Sequence, residues 1–330
     1  MKAACYRQYG SPDVLQIETV ADPSPRAGDI LIRVRAAEVS KADCELRSFR
    51  LPVQWYWLPL RLGIGITSPR KRILGNYFAG EVLALGPGVQ RFREGDRIFG
   101  CTRFQLGAHA ELLCLRATRT LVRMPANLSF AEAAAVPLGG LNALHFIRRA
   151  KLRPGEKVLV NGAGGSIGLF AVQLAQHAGA EVTAVDAGHK ETMLRGLGAA
   201  HFIDYRKTDF TRSGQTYDVI LSTVAGTRYH DCMRMLNPGG RYLIANPRFS
   251  DLVRTLLPSK FKDREATAAF ATEQEEELTH LKTLLENGSI RSLVDHVYPL
   301  DQIRAAHDRV ETEQRLGTVI VAPSDLVFSS

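Results

Sequence analysis

The sequence predicts an α/β chain in two parts, a mostly-β domain and a doubly wound parallel sheet, on three observations. Short alternating stretches divided by turn residues fill the first 125 positions, as in Ile30–Ala36 after Arg26-Ala27-Gly28-Asp29 and Ala79–Leu85 before Gly86-Pro87-Gly88. From Ser129, an N-cap residue with Glu132 three positions on, the pattern turns to helix and then to repeated strand-helix units. One glycine-rich turn joins a β-branched run to an apolar helix. Later strands are expected at Phe202–Asp204, at Tyr217–Leu221 and, after the turn Asn237-Pro238-Gly239-Gly240, at Arg241–Ala245. A charged helix from Glu273 to Glu286 is expected to close the second domain at Asn287-Gly288. The expected boundaries are 1–125, completed by 288–330 with its strand Thr318–Val321, and 126–287.

The glycine turn carries the most chemistry. Lys157-Val158-Leu159-Val160-Asn161 reads as a buried strand, broken by Gly162-Ala163-Gly164-Gly165-Ser166-Ile167-Gly168 into a turn so tight that it requires glycine. Leu169 to Ala178 then reads as a helix stopped by Gly179, and Val182–Val185 as the second parallel strand with Asp186 at its carboxyl end, 18 residues after Gly168. The helix amides would face a pyrophosphate, and the acid has the spacing of a ribose acceptor. The glycines fit Gly162-x-x-Gly165-x-x-Gly168 rather than G-x-G-x-x-G, because Ile167 stands where the last glycine of that pattern would fall. A dinucleotide is expected here.

Composition excludes several classes. No charged start precedes an apolar stretch and a small-residue cleavage site, and no run of 18 apolar residues occurs, so export and membrane spanning are not expected. Cys5, Cys44, Cys101, Cys114 and Cys232 are scattered, odd in number and without a C-x-x-C pair, which suits reduced thiols in a cytoplasmic protein. The formal charge of +8 lies in the first part: residues 1–130 hold 19 Lys/Arg against 11 Asp/Glu, and the remainder 23 against 23. Without a nucleic-acid signature around Arg70-Lys71-Arg72, that excess reads as a solvated basic face for an anionic cofactor or substrate. Residues 47–72 are dense in aromatics around Trp55-Tyr56-Trp57-Leu58-Pro59-Leu60. They are expected to line or lid a substrate cleft; an interfacial membrane patch is the alternative.

Taken in order, Gly75-Asn76-Tyr77-Phe78-Ala79-Gly80-Glu81-Val82, Gly95-Asp96-Arg97-Ile98-Phe99-Gly100, Gly107-Ala108-His109-Ala110-Glu111, Ala133-Ala134-Ala135-Val136-Pro137, the glycine turn and Leu197-Gly198-Ala199 before Ile203-Asp204-Tyr205 make a pattern that spans nearly the whole chain. It resembles the medium-chain dehydrogenase/reductase superfamily, and within it the zinc-independent quinone-oxidoreductase branch that includes zeta-crystallin. The resemblance implies a GroES-like catalytic domain interrupted by a Rossmann domain, with chemistry in the cleft between them. Zinc-dependent relatives hold a catalytic metal with a cysteine, a G-H-E segment and a second cysteine; the matching positions here are Ser40, Asn76 with Tyr77, and Leu138, so no metal is expected. His109 and His145 read as packed side chains rather than ligands.

Without a Lewis acid the chemistry implied is reduction of an electrophile that is already activated, a quinone or an α,β-unsaturated carbonyl, with hydride from NAD(P)H. By similarity to the N-x-x-D segment of zinc-free relatives, Ser40, Lys41 and Asp43 should lie beside the nicotinamide together with Tyr77, although Asp43 also fits the cap of a helix running to Arg47. Asp186 favours NAD(H) by accepting from the ribose hydroxyls, whereas His189 and Lys190 suit the phosphate of NADPH; the balance falls to NAD(H). Asn142, Val224, Asn246 and Arg315 match family positions near the cofactor, beside Gly162, Gly164, Gly165, Ser166, Ile167 and Gly168 of the turn. A homodimer acting on a small molecule is expected. An alcohol or aldehyde dehydrogenase and a low-turnover dinucleotide sensor are the alternative readings.

Overall fold

The computed structural model describes residues 1–53, 57–257 and 261–323. Strands β1 (Lys2–Tyr6) and β2 (Leu15–Thr19) pair as an antiparallel ribbon, and β3 (Asp29–Val39) follows. Helices α1 (Lys41–Ser48) and α2 (Trp57–Ile64) precede β4 (Tyr77–Leu85), β5 (Arg97–Cys101), β6 (Leu112–Arg116), β7 (Leu121–Arg123) and α3 (Phe130–Ala134). Next come α4 (Pro137–Ala150), β8 (Lys157–Asn161), α5 (Ser166–His177), β9 (Glu181–Asp186), α6 (Glu191–Gly196), β10 (His201–Asp204), β11 (Tyr217–Ser222), α7 (Tyr229–Met235), β12 (Leu236–Ile244), α8 (Phe249–Leu256) and β13 (Glu265–Ala268). The described chain closes with α9 (Glu275–Glu286), β14 (Val294–Pro299), α10 (Ile303–Glu311) and β15 (Thr318–Ala322).

Two compact units result. The first takes residues up to 51, 58–138 and 273–323, and the second holds Pro52, Val53, Trp57 and 139–272. In the first, β3 is the hub: it pairs antiparallel with β4, β6 and β15, and β15 lies parallel to β14. Ile30, Ile32 and Val34 alternate into its core with Phe78, Val82, Ile98, Val319 and Val321, the period of a strand with one buried face. Strand β15 thus lies in the first unit, paired with β3.

In the second unit six parallel strands run in the order β10-β9-β8-β11-β12-β13. Val158, Leu159 and Val160 of β8 are all fully buried, which is why this strand reads as an unbroken apolar run. Because β9 lies on one side of β8 and β11 on the other, the winding reverses there, and such a reversal opens a binding crevice at the carboxyl ends of the strands.

The boundaries differ from those expected. The capped helix α3 and the charged helix α9 both belong to the first unit, so the second begins at 139 rather than 126 and ends at 272 rather than 287. The guanidinium of Arg97 stacks 4.7 Å over the Phe130 ring of α3, and Asn127 Nδ2 donates to Leu285 O of α9 at 3.1 Å. Periodicity reveals a helix and its apolar face, but not which sheet that face covers. No helix among the described residues is long and apolar enough to cross a membrane.

Candidate active site

The glycine turn is built as its spacing requires. Gly162 sits at φ +81°, and the amides of Gly162 and Ala163 both donate to Val185 O, at 3.0 and 3.2 Å. A Cβ on Gly168 would lie 2.3 Å from Gly162 O, so helix and turn meet backbone to backbone. Gly165 is the N-cap of α5 with no side-chain cap, and a Cβ there would meet nothing nearer than 3.5 Å. That combination, a pressed inner side and an open outer one at an uncapped helix start, fits a pyrophosphate. Ser166 is buried and Ile167 half-buried in the first turn of α5.

Residues that sequence reasoning missed brace this turn from β11. Asn161 Nδ2 donates to Ser222 Oγ at 3.1 Å and Thr227 Oγ1 at 3.0 Å, while Thr223 Oγ1 donates to Asn161 O at 3.1 Å. Val224 and Asn246 follow β11 and β12 at the same edge, and Asn246 Nδ2 donates to Thr223 O at 2.6 Å. Asn142 is half-buried in α4, and Arg315 is buried in the first unit.

Asp186 ends β9 as expected, yet its carboxylate turns onto the glycine turn. Oδ2 accepts from Gly164 N at 2.7 Å, Oδ1 accepts from Ala187 N at 2.8 Å, and Lys190 Nζ lies 3.2 Å from Oδ1 with both side chains buried. His189 is exposed, so the two bases expected to act together are parted, and Lys190 is committed to the acid.

In the first unit Ser40 and Asp43 meet as a reciprocal capping box at the start of α1. Ser40 Oγ donates to Asp43 Oδ2 at 2.6 Å, Ser40 N donates to the same oxygen at 2.9 Å, and Asp43 N donates back to Ser40 Oγ at 3.2 Å. Asp43 Oδ1 also accepts from Gly75 N at 3.0 Å, tying the cap to the start of β4. Lys41 does not join this group: exposed on the helix, its ammonium pairs with Glu313 at 2.5 Å.

The segment Gly75-Asn76-Tyr77 is claimed residue by residue. Asp43 holds Gly75, Thr102 Oγ1 donates to Asn76 Oδ1 at 3.0 Å, and Tyr77 Oη donates to Glu273 Oε1 at 2.7 Å. Glu273, another residue missed from sequence, stands at φ +50° and is pinned through its carbonyl by Thr120 Oγ1 at 2.7 Å and Arg103 Nη2 at 3.0 Å. Burial, and then the charge of Glu273, raise the Tyr77 phenol well above its ordinary range, so it stays a donor at neutral pH. Trp57 begins α2, whereas Trp55 lies outside the described residues.

Zinc does not fit these residues. Ser40, Asn76 and the half-buried Leu138 offer neither thiolate nor imidazole, and among the described residues no three His, Cys, Asp or Glu side chains gather to hold a metal. His109 Nε2 lies 3.0 Å from Glu38 O, and Cys44 Sγ lies 3.3 Å from His307 Nδ1, both within the core. All five cysteines are free, four are buried, and desolvation raises every thiol, those of Cys101 and Cys232 to about 12.

Residues 26–141 match the alcohol dehydrogenase GroES-like domain, and residues 197–321 match the family described as zinc-binding dehydrogenase. The chain belongs to the medium-chain dehydrogenase/reductase superfamily. Within this superfamily it is 29% identical over 335 residues to the 2-methylene-furan-3-one reductase of Solanum lycopersicum, covering 98% of this chain and 79% of that one. It is 28% identical to the quinone oxidoreductase of Rattus norvegicus, with 97% of each chain covered. The solved quinone oxidoreductase of Coxiella burnetii superposes with a TM-score of 0.86 at 27% identity, over 98% of this chain and 99% of that one. Like other superfamily members it is an NAD(P)H-dependent oxidoreductase.

Proposed function

We propose that this protein is a zinc-independent reductase that uses NAD(P)H to reduce quinones or α,β-unsaturated carbonyls. The observation that carries the reading is the Gly75-Asn76-Tyr77 segment, held by Asp43, Thr102 and Glu273 where zinc-dependent relatives present metal ligands. The reductases among its relatives support it.

The bound dinucleotide supplies the hydride. Gly162 to Gly168 and the first turn of α5 receive its pyrophosphate, and Asn142, Val224 and Asn246 flank its nicotinamide half. Ser40 and Asp43 act as positioning residues, since Ser40 spends its hydroxyl on Asp43, and Asp43 its carboxylate on Ser40 and Gly75. Tyr77, kept protonated, supplies a fixed dipole oriented by Glu273. Of the two cofactors we assign NAD(H), supported by Asp186 at the strand end and by Lys190 being spent on it. We also place the protein in the cytoplasm as a homodimer. The support is five free cysteines and, on α8 beside the edge strand β13, the exposed row Phe249, Val253 and Leu256.

Deuterated cofactor tests the reaction. Label is expected in the reduced product of at least one quinone or enone in a panel that also includes alcohols and aldehydes. Transfer confined to the alcohol-aldehyde pairs would assign a dehydrogenase, and none at all would leave a binding protein.

A further inference from the structure

Helix α2 is inside out. Its one charged side chain, Arg61, turns toward the protein and stacks 4.2 Å over each of the rings of Tyr9 and Phe49. Its leucines face water instead: Leu58 is 59% and Leu62 51% exposed, one helical turn apart, with Pro59 and Gly63 beside them and Trp57 at the start. Ile66, just beyond, is 57% exposed, and no residue of the helix is buried. Leaving such side chains in water forgoes the burial that ordinarily drives a helix onto its domain.

Along the chain, the segment around α2 carries one sign of charge, with Glu18 within electrostatic reach of Arg72. From Leu46 to Gly80 the sequence has six basic residues and not one acid. Arg47 is buried against Glu311, while Arg50, Arg70, Lys71 and Arg72 are exposed. Arg70 N donates to Ile64 O at 2.7 Å, so this basic run starts at the end of the helix itself. Tyr9 Oη donates to Gly65 O at 2.8 Å and fixes that end.

We propose that α2 and its basic rim form a docking surface for anionic lipid membranes. The apolar face enters the acyl boundary while Arg50, Arg70, Lys71 and Arg72 meet the headgroups, the arrangement of an interfacial helix with a polybasic flank. A second copy of this chain is a poorer occupant, because pairing two such faces brings like charges together. The inference is independent of the reductase reading.

Vesicle sedimentation tests it with the purified protein. Binding is expected to vesicles of phosphatidylcholine mixed with phosphatidylglycerol, but not to phosphatidylcholine alone, and added salt should release the protein. The double substitution Leu58→Ser, Leu62→Ser should weaken binding by about tenfold or more. Its melting temperature and cofactor affinity should not change. Arg70→Glu with Lys71→Glu should abolish binding. Failure to sediment with anionic vesicles, or binding indifferent to both double variants, would overturn the proposal. So would a loss of self-association in the leucine variant without vesicle binding, or an effect confined to acceptor preference in vesicle-free buffer.

Discussion

Two glycine-led segments serve opposite ends in this molecule. In Gly162 to Gly168 the backbone is packed tightly behind and left open in front, where α5 starts at Gly165 without a side-chain cap. In Gly75-Asn76-Tyr77 three distant side chains claim every residue, from positions 43, 102 and 273. The first segment is a site made by what is left out. The second is a place where packing and hydrogen bonds have replaced a ligand set.

The contrast makes ranked predictions. Gly168→Val drives a side chain into Gly162 O and Ala163, and is expected to cost about 4 kcal/mol or more and to abolish dinucleotide binding. Thermal melts and cofactor fluorescence titration measure both; retained binding would mean that the turn is more pliant than its geometry. Asp43→Ala should cost about 2–4 kcal/mol, because it removes a cap and strands the buried amides of Ser40 and Gly75. Chemical denaturation reads that loss, and unchanged cofactor affinity alongside it would keep the two segments separate.

Asp186→Ser is smaller and more specific. Removing the carboxylate frees Lys190 and relieves repulsion of a 2′-phosphate, so the ratio of NADPH to NADH affinity should rise by about 1–2 kcal/mol in paired titrations. An unchanged ratio would show that the pair does not face the adenosine ribose.

Glu45 of α1 gives an effect visible only as a pH dependence. Burial, reinforced by Glu313 and opposed by Lys41, raises its carboxyl to about 7. Between the ordinary carboxylate range and about 7 the native state holds a proton that the unfolded chain has released, so stability falls as pH rises through that window. Glu45→Gln should therefore raise the melting temperature above that window and leave it unchanged below. A rise of equal size at both ends would point to packing instead.

How much of this was legible in the sequence follows from the same contrast. The strand Lys157–Asn161, the turn, helix α5 and Asp186 at the end of β9 are local and consecutive, and backbone preferences alone predict them. Asp43 was readable as a cap for that reason, whereas Ser40, the N-cap itself, was read as a donor beside the nicotinamide. Glu273 was not, since its bond to Tyr77 joins residues 196 positions apart and leaves no periodic trace. The ownership of α3 and α9 was hidden likewise, because an apolar helix face does not name its partner. Asp186 shows a subtler limit: its position was predicted, but the inward turn of its carboxylate depends on Gly164 and on the burial of Lys190.

The five thiols take on a meaning under the proposed reaction. Quinones and enones are themselves alkylating agents, and they add to thiolates. Burial keeps Cys5, Cys44, Cys101 and Cys232 out of reach, and desolvation raises all five thiols, that of the half-buried Cys114 included, which disfavours the thiolate. An enzyme that handles such electrophiles is thereby spared arylation by its own substrates, and a thiol-directed inhibitor would find Cys114 as its most accessible foothold.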